Sequence, residues 1–184
     1  GGGESTVRGN VSSGYGVWKT ENAGQSWEHI GLKKSRHIPR IVIHPRDHNT
    51  VFAAVLGNIY KPTVDRGVYK SIDGGKTWEK KLFVNENAGA VDLIMDATNP
   101  RILYASTWNL RRTPYSLSSG GEGSALWKST DEGETWINIS TNDGLPEGIW
   151  GISGIAVSPI NSDIVWALIE NKDGGIYKSL DAGK

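Results

Sequence analysis

A short pattern, Ser/Thr-x-Asp-x-Gly-x-Thr/Ser-Trp, occurs four times along this chain of 184 residues. Two copies are complete, at 71–78 and 129–136, and a weaker copy at 20–27 carries Asn22 in place of the aspartate. The fourth copy, at 179–184, holds the first six positions of the pattern. One motif returning at wide intervals is the signature of a repeat protein, so the whole chain is predicted to be built from repeated units.

The motif itself predicts a tight turn. Aspartate accepts hydrogen bonds from backbone N–H groups about two residues on, glycine supplies a positive φ, and tryptophan packs beneath the turn. An aspartate already used in this way is a poor catalyst, and asparagine makes similar bonds without a charge. We therefore predict a structural role, and no metal-binding role, for Asn22, Trp27, Asp73, Gly75, Trp78, Asp131, Gly133, Trp136, Asp181 and Gly183.

Short strands surround each copy of the motif. Trp18, Tyr69, Trp127 and Tyr177 each lie in a segment that alternates apolar and polar residues, as a half-buried strand does, and they are 51, 58 and 50 residues apart. Apolar segments at 41–45, 93–97 and 155–159 are followed by others at 51–53, 103–105 and 165–167. A period near fifty with short strands and no helical pattern predicts an all-β fold, a β-propeller of four-stranded antiparallel blades.

Assigning strands A to D outward from the propeller axis predicts 13 strands. They form the end of one blade at 1–32, complete blades at 36–84 and 88–140, and an incomplete blade at 151–184. A propeller removes exposed sheet edges by closing into a ring, typically of about four to eight blades. Three to three and a half blades do not close, so the sequence predicts part of a longer natural chain, or several copies assembled into a ring.

Composition argues against several functional classes. Lysine plus arginine equals aspartate plus glutamate at 20 each, which argues against a nucleic-acid partner. No apolar run approaches about 18 residues, so direct membrane insertion is not expected. Cysteine is absent, and no phosphate loop or nucleophile elbow occurs, so no cofactor is expected. His44 and His48 are four apart, but Pro45 excludes the helix that would align them on a metal.

Function is predicted on the face formed by the connections from strand B to C and from strand D to A. The turn motif joins strands C and D on the opposite face, and loops on a rigid scaffold are where sites are built. The B–C connections at 56–66 and 107–124 are long enough to favour a binding or contact loop. The second offers stacking platforms and anion donors in Trp108, Arg111, Arg112 and Tyr115. Packing on a neighbouring blade is the alternative.

A second group of candidate ligand-binding residues lies in the D–A connection before position 40. Lys33, Lys34, Arg36 and His37 occur there, and Arg40 follows on the predicted inner strand. Residues just ahead of strand A face the central channel of a propeller. We therefore expect Arg36, His37 and Arg40 to make the channel mouth cationic, with a solvated loop edge as the alternative.

The four motif copies resemble Asp-boxes, also called bacterial neuraminidase repeats. These occur in sialidases, xyloglucanase-type glycoside hydrolases, sortilin-type receptors and a photosystem II assembly factor. Segments 7–12, 35–38 and 85–93 resemble most the exported bacterial propellers called sortilin-like or glycosyl-hydrolase-like. The resemblance implies a propeller with Asp-box hairpins, exported to the periplasm, cell surface or medium.

The resemblance implies partners as well. They are the remaining blades of the same chain or neighbouring subunits, and a protein or glycan ligand on the B–C and D–A face. Asp-boxes occur in hydrolases and in binding proteins alike, so the resemblance does not decide the activity. We predict a non-catalytic protein- or glycan-binding scaffold that is part of a larger exported protein. A glycoside hydrolase, xyloglucanase- or sialidase-like, and an accessory subunit of a larger membrane-associated assembly are the alternatives.

The hydrolase alternative is weakly supported by the residues. Glycosidases need two carboxylates about 5 to 10 Å apart, one of them kept protonated. The candidates, Glu86, Asp92, Asp143 and Glu147, lie in different blade settings, and none belongs to a signature. Sialidases carry Arg-Ile-Pro early in the propeller, whereas positions 38–40 read Ile-Pro-Arg. The sequence therefore favours a binding protein over an enzyme.

Overall fold

The computed structural model describes residues 1–184 as fourteen strands without a helix. The predicted all-β class is confirmed. The strands are β1 Trp18–Lys19, β2 Glu28–His29, β3 Arg40–Ile43, β4 Val51–Val55, β5 Gly67–Ser71, β6 Glu79–Leu82, β7 Ala88–Met95, β8 Leu103–Arg112, β9 Leu117–Ser119, β10 Ala125–Ser129, β11 Ile137–Asn138, β12 Ser153–Val157, β13 Val165–Ile169 and β14 Gly175–Ser179.

The strands form four antiparallel sheets in chain order. β1 pairs with β2, and β3-β4-β5-β6 make a complete four-stranded blade. The order β7-β8-β10-β11 makes a second blade, to which β9 adds by pairing with β8, and β12-β13-β14 make the last sheet. Apart from β9, which is inserted between β8 and β10, strands that pair within a sheet follow one another along the chain, as antiparallel partners commonly do. This meander is the predicted propeller blade.

The hydrophobic core lies between the blades. Phe52, Ala54, Val68 and Leu82 of the β3–β6 sheet pack against the next sheet through Ala90, Leu93, Leu103 and Ala105. A second cluster joins Tyr104 and Leu126 to Ile155, Val165 and Ala167 of the last sheet. Every residue of β4 and β5 is buried, because a blade inside the array is covered on both faces.

Each complete Asp-box forms the turn that its residue types predict. Asp73 Oδ1 accepts from the Thr77 N–H at 2.9 Å, and its Oδ2 accepts from the Thr77 hydroxyl at 2.6 Å. Ser71 donates to Asp73 at 2.8 Å and accepts from the Gly75 N–H at 2.8 Å. Hydrogen bonds from Thr77 lower the pKa of Asp73 to about 2. The Asp-box around Asp131 repeats the arrangement, and its pKa is also lowered to about 2.

Left-handed backbone is built into the turns. Glu132 and Gly133 have φ values of 62° and 79°. A Cβ on Gly133 would come within 2.6 Å of the Phe52 ring in the preceding blade, so only glycine fits there. Trp78 and Trp136 are half-buried, and the Trp78 indole donates to Ile30 O at 2.8 Å. Trp27 remains 58 % exposed.

A lysine on the third strand of each complete blade reaches the Asp-box of the next blade. Lys70 Nζ donates to Glu132 O at 2.9 Å and to Glu134 Oε1 at 2.8 Å. Lys128 Nζ donates to Ala182 O at 2.7 Å in the same way. Lys70 is 5 % exposed and lies 5.5 Å from the Phe52 ring centroid. We call this contact the lysine clamp.

The structure has one strand more than the 13 expected from the sequence. β8 continues to Arg112 and pairs with β9, so the predicted loop at 107–124 is largely a hairpin. Its turn is held by Thr113, whose N–H donates to Ser116 O at 2.9 Å and whose hydroxyl accepts from the Ser116 N–H at 3.0 Å. This hydroxyl-stabilised turn lacks the Asn-Gly or Gly-Gly pair that marks most short hairpins.

His44 has a structural role. Its Nδ1 accepts from the Arg46 and Asp47 N–H groups at 3.2 and 3.0 Å, and its Nε2 lies 3.3 Å from Glu132 Oε1. Nowhere in the structure do three or more metal-ligating side chains cluster together. The structure also contains no helix with the length and hydropathy needed to cross a membrane.

Candidate functional site

The connections between strands lie on two opposite faces of the blades, as their backbone hydrogen bonds show. The A–B turns support the Asp-boxes of their own blades, since Gly74 N donates to Asn49 O at 2.9 Å and Glu132 N donates to Arg101 O at 2.8 Å. The B–C and D–A connections emerge at the other strand ends. We call that side the loop face. Its connections are 30–39, 56–66, 83–87, 139–152 and 170–174, together with the segment 113–124 that contains β9.

The four candidates in the hairpin do not converge on one site. Trp108 is 5 % exposed, and its indole N–H donates to Ser119 Oγ at 3.0 Å. Arg112 ties the hairpin to the N-terminal segment by donating to Arg8 O at 3.0 Å, and it holds its own turn by donating to Ser116 O at 2.7 Å. The expectation that Trp108 is a stacking platform is therefore wrong, because strand alternation turns it into the core. Arg111 is exposed, and Tyr115 is 97 % exposed.

His37 does not contribute charge to the channel mouth. It is fully buried, and its Nδ1 lies 3.0 Å from Glu4 O. Burial lowers its pKa below the ordinary value of 6.5, so the ring is neutral at pH 7. The expected cationic role of His37 is wrong for that reason. Arg36 is exposed and donates to Ser13 Oγ at 3.4 Å.

Asp92 connects the inner strands of three blades. Its Oδ1 accepts from Arg40 Nε at 3.1 Å and from the Leu93 N–H at 2.9 Å, while Oδ2 accepts from the Ile155 N–H at 3.0 Å. A register shift in β7 between Ala90 and Asp92 places the carboxylate there. Both of its oxygens are engaged as hydrogen-bond acceptors, which suits an anchoring role.

The other candidate carboxylates lie apart from Asp92. Glu86 is exposed in the 83–87 connection, and Asp143 and Glu147 are exposed in the 139–152 connection. Asp143 and Glu147 line the same cavity of about 410 Å³. The structure therefore places these two residues on one cavity, whose lining includes neither Asp92 nor Glu86.

Sequence reasoning missed Glu170, which follows strand β13. Its Oε2 accepts from the Ile152 N–H and from the Ser119 hydroxyl, each at 2.8 Å, and Oε1 has no hydrogen-bond partner. Glu170 lines a cavity of about 520 Å³ beside the inner strands, which we call the axial cavity. Arg40, Asp92, Ile152 and Leu168 also line it. No sequence motif surrounds Glu170. Its position directly after a strand is the only sequence signal that places it on the loop face.

Arg66 was also missed. Its guanidinium is fully buried and donates to Asn87 O at 3.0 Å and to Asn58 O at 2.6 Å, which ties together two connections of the loop face. Burial lowers the pKa of Arg66 to about 10, so it stays cationic at neutral pH. It forms no ion pair with a carboxylate.

Comparison with known families agrees with the repeats and the sheet order. A family model described as Sortilin, neurotensin receptor 3 (Sortilin-Vps10) matches residues 15–144. The chain belongs to the Sortilin-Vps10 family. The predicted resemblance to sortilin-like and glycosyl-hydrolase-like propellers is thereby confirmed.

Relatives of this Sortilin-Vps10 chain include xyloglucanases. It is 22 % identical to the xyloglucanase Xgh74A of Acetivibrio thermocellus over 91 % of its own length and 22 % of that protein. It is 24 % identical to a xyloglucanase of Hypocrea jecorina over 88 % of its own length and 19 % of that protein. The chain thus spans about a fifth of the length of the curated relatives that it matches.

A solved structure of a GH74 enzyme from Niastella koreensis is similar to the Sortilin-Vps10 chain with a TM-score of 0.67 and 21 % identity. The alignment covers 92 % of this chain and 25 % of that one. A likeness at this identity establishes the propeller fold of the Sortilin-Vps10 chain and leaves its activity to be argued from its own residues.

Proposed function

We propose that this chain is a non-catalytic binding segment of a larger propeller and takes a glycan in the axial cavity of the loop face. The observation that carries the proposal is that both carboxylates of this cavity, Asp92 and Glu170, already accept hydrogen bonds from the protein. Asp92 accepts hydrogen bonds on both oxygens, and Glu170 accepts two on Oε2. Groups held in this way are placed to anchor a ligand rather than to donate a proton to it.

The remaining chemistry of the axial cavity suits a sugar. Arg40 uses only Nε in its bond to Asp92, so its terminal nitrogens remain as donors, and Glu170 Oε1 remains as an acceptor. Ile152 and Leu168 are 41 % and 60 % exposed and supply apolar surface. Sugar rings present hydroxyl groups at their edges and C–H groups on their faces, so this mixture of contacts matches them.

The relatives support a glycan over a protein ligand. Two curated relatives are xyloglucanases, which act on a glycan, and we extend that ligand class to this chain as part of the proposal. A protein ligand on the same face is the alternative outcome of the experiment below.

A glycoside hydrolase is the second candidate function. It is favoured by the same relatives and by the position of Asp92 and Glu170 on one cavity, since hydrolysis requires a pair of carboxylates across the scissile bond. Asp92 fits the role of proton donor poorly because both of its oxygens accept hydrogen bonds, so that role would fall to Glu170, whose Oε1 has no partner.

Calorimetric titration with a xyloglucan oligosaccharide tests the binding role. Arg40→Met and Glu170→Gln should each weaken binding about two- to tenfold, as expected for the loss of one hydrogen bond. Arg101→Met is the matched control, because Arg101 is exposed in an A–B turn on the opposite face. Equal affinities in all three variants would contradict an axial glycan site.

Release of reducing ends from xyloglucan separates the two candidate functions. We expect none from the full-length protein. Steady hydrolysis that disappears in Glu170→Gln or Asp92→Asn, while the oligosaccharide still binds, would replace the binding role with the hydrolase.

Three further expectations remain proposals. The blade units are proposed as 1–32, 36–84, 88–140 and 151–184. The protein is proposed to be exported. Its other contacts are proposed to be the remaining blades of the same chain or neighbouring subunits.

A further inference from the structure

A second cavity on the loop face is lined by cations. It has a volume of about 510 Å³ and lies where the 30–39 and 56–66 connections meet residues 13–15. Lys33, Lys34, Arg36 and Lys61 line it, and all four side chains are exposed. We call it the cationic cavity.

None of these four cations forms an ion pair. The single acidic residue in the lining, Asp65, accepts from the Thr63 hydroxyl at 3.0 Å. Behind the wall lies the buried Arg66, which donates to Asn58 O and adds a further positive charge. The whole chain has a formal net charge of zero, so this local excess is not a consequence of composition. Uncompensated like charges around a concave surface attract an anion.

The loop that presents three of the cations has an unusual backbone. Leu32 and Arg36, with φ values of 53° and 52°, are the only non-glycine residues with positive φ outside the Asp-box turns. The Ser35 N–H donates to Leu32 O at 3.0 Å, and the Gly14 N–H donates to Arg36 O at 2.7 Å. Backbone of this kind persists where its surroundings hold it in place, and it is frequent at binding sites. The cations therefore lie on a fixed loop.

We propose that the cationic cavity binds an anionic saccharide, whose uronate carboxylates or sulfate esters pair with Lys33, Lys34, Arg36 and Lys61. Tyr15 is the single hydrophobic residue in the lining and is 66 % exposed, so its ring is free to stack on a sugar. The rest of the lining is polar or charged apart from one glycine. An acidic peptide such as polyglutamate offers no ring face on which Tyr15 could stack, whereas a sugar does. The inference rests on the proposed binding role of the loop face and adds a ligand class.

Titration with four probes tests the inference. The probes are a galacturonate oligosaccharide, a sulfated dextran oligosaccharide, a neutral xyloglucan oligosaccharide and a polyglutamate peptide. At low salt the unmodified protein should bind one or both anionic saccharides, and binding should weaken as salt screens the charges. The anion bound more tightly identifies carboxylate or sulfate as the recognised group.

Two double variants locate the site. Lys34→Gln with Arg36→Asn should weaken binding of the anionic saccharide by about tenfold or more, and asparagine tolerates the left-handed backbone at position 36. Lys33→Gln with Lys61→Gln leaves that backbone untouched and should have a similar effect. The matched control is Arg46→Gln with Lys76→Gln, because both cations are exposed on the opposite face and are free of ion pairs.

Four results would overturn the inference. They are no binding of either anionic saccharide, equal affinities in the cavity variants and the control, tighter binding of polyglutamate than of the saccharides, and equal weakening of neutral and anionic saccharide binding in the cavity variants. Axial binding of the neutral oligosaccharide, lost in Arg40→Met but retained in the cationic-cavity variants, would leave the proposed function standing. The two proposals are therefore separable.

Discussion

The lysine clamp leads to a quantitative prediction about how the blades are held together. Lys70→Met keeps most of the apolar stem but removes the ammonium group, which lies 2.9 Å from Glu132 O and 2.8 Å from Glu134 Oε1. Because Lys70 is only 5 % exposed, water does not replace these bonds easily. Loss of a charged hydrogen bond costs about 1.5–3 kcal/mol, so the free energy of unfolding should fall by that amount.

Urea denaturation followed by tryptophan fluorescence measures the effect of Lys70→Met. Lys19→Met is the matched control, because Lys19 occupies the corresponding strand position but is exposed and paired only with the exposed Glu21 at 2.8 Å. The control should change the unfolding midpoint little, as surface ion pairs contribute little. A loss under about 0.5 kcal/mol in Lys70→Met, or equal losses in the two variants, would refute the clamp.

Three more predictions concern the stability of the turns and the core. Trp136→Ala should lower the free energy of unfolding by about 3–5 kcal/mol, because Trp136 packs on the hydrophobic cluster between blades. Trp27→Ala should change it little, because Trp27 is exposed. Chemical denaturation measures both variants. The pKa of Asp131 falls from 3.8 to about 2 on folding, so its contribution to stability is complete above pH 4 and is lost as pH falls toward 2. In Asp131→Asn the melting temperature should therefore depend less on pH in that window. A variant curve parallel to that of the unmodified protein would contradict the turn geometry. Burial lowers the pKa of His37, so as pH falls His37 takes up a proton in the unfolded chain before it does in the folded one. Stability should therefore fall as pH drops below about 6.5. His37→Gln should reduce this loss of stability between pH 7 and pH 5, which calorimetry measures.

The turns could be predicted because their contacts are local. Asp73 bonds to Thr77 and Ser71 bonds to Gly75, so each hairpin is encoded within eight residues and reads directly from the sequence. The propeller class followed from the return of these hairpins at a period near fifty residues. Patterns that depend only on neighbouring residues can be recognised without knowledge of the tertiary packing.

The contacts between blades could not be predicted in the same way. Alternation along 67–70 marks Lys70 as a polar position, yet the next blade buries it by supplying Glu132 and Glu134. The sequence places Trp108 in a loop, whereas the structure places it in a strand, because the pairing of β8 with β9 depends on a turn stabilised by hydroxyl groups. Glu170 meets the axial cavity only because the ring arrangement brings its strand end beside Asp92.

Hydrogen exchange with and without a xyloglucan oligosaccharide shows whether the sugar binds in the axial cavity. We expect slower exchange in peptides 150–155 and 168–174, which carry the axial cavity, and unchanged exchange in the Asp-box turns at 71–78 and 129–136. We also expect the oligosaccharide to be recovered with its mass unchanged. Protection of the Asp-box turns instead of the loop face, or recovery of shortened sugars, would contradict a binding role for the axial cavity.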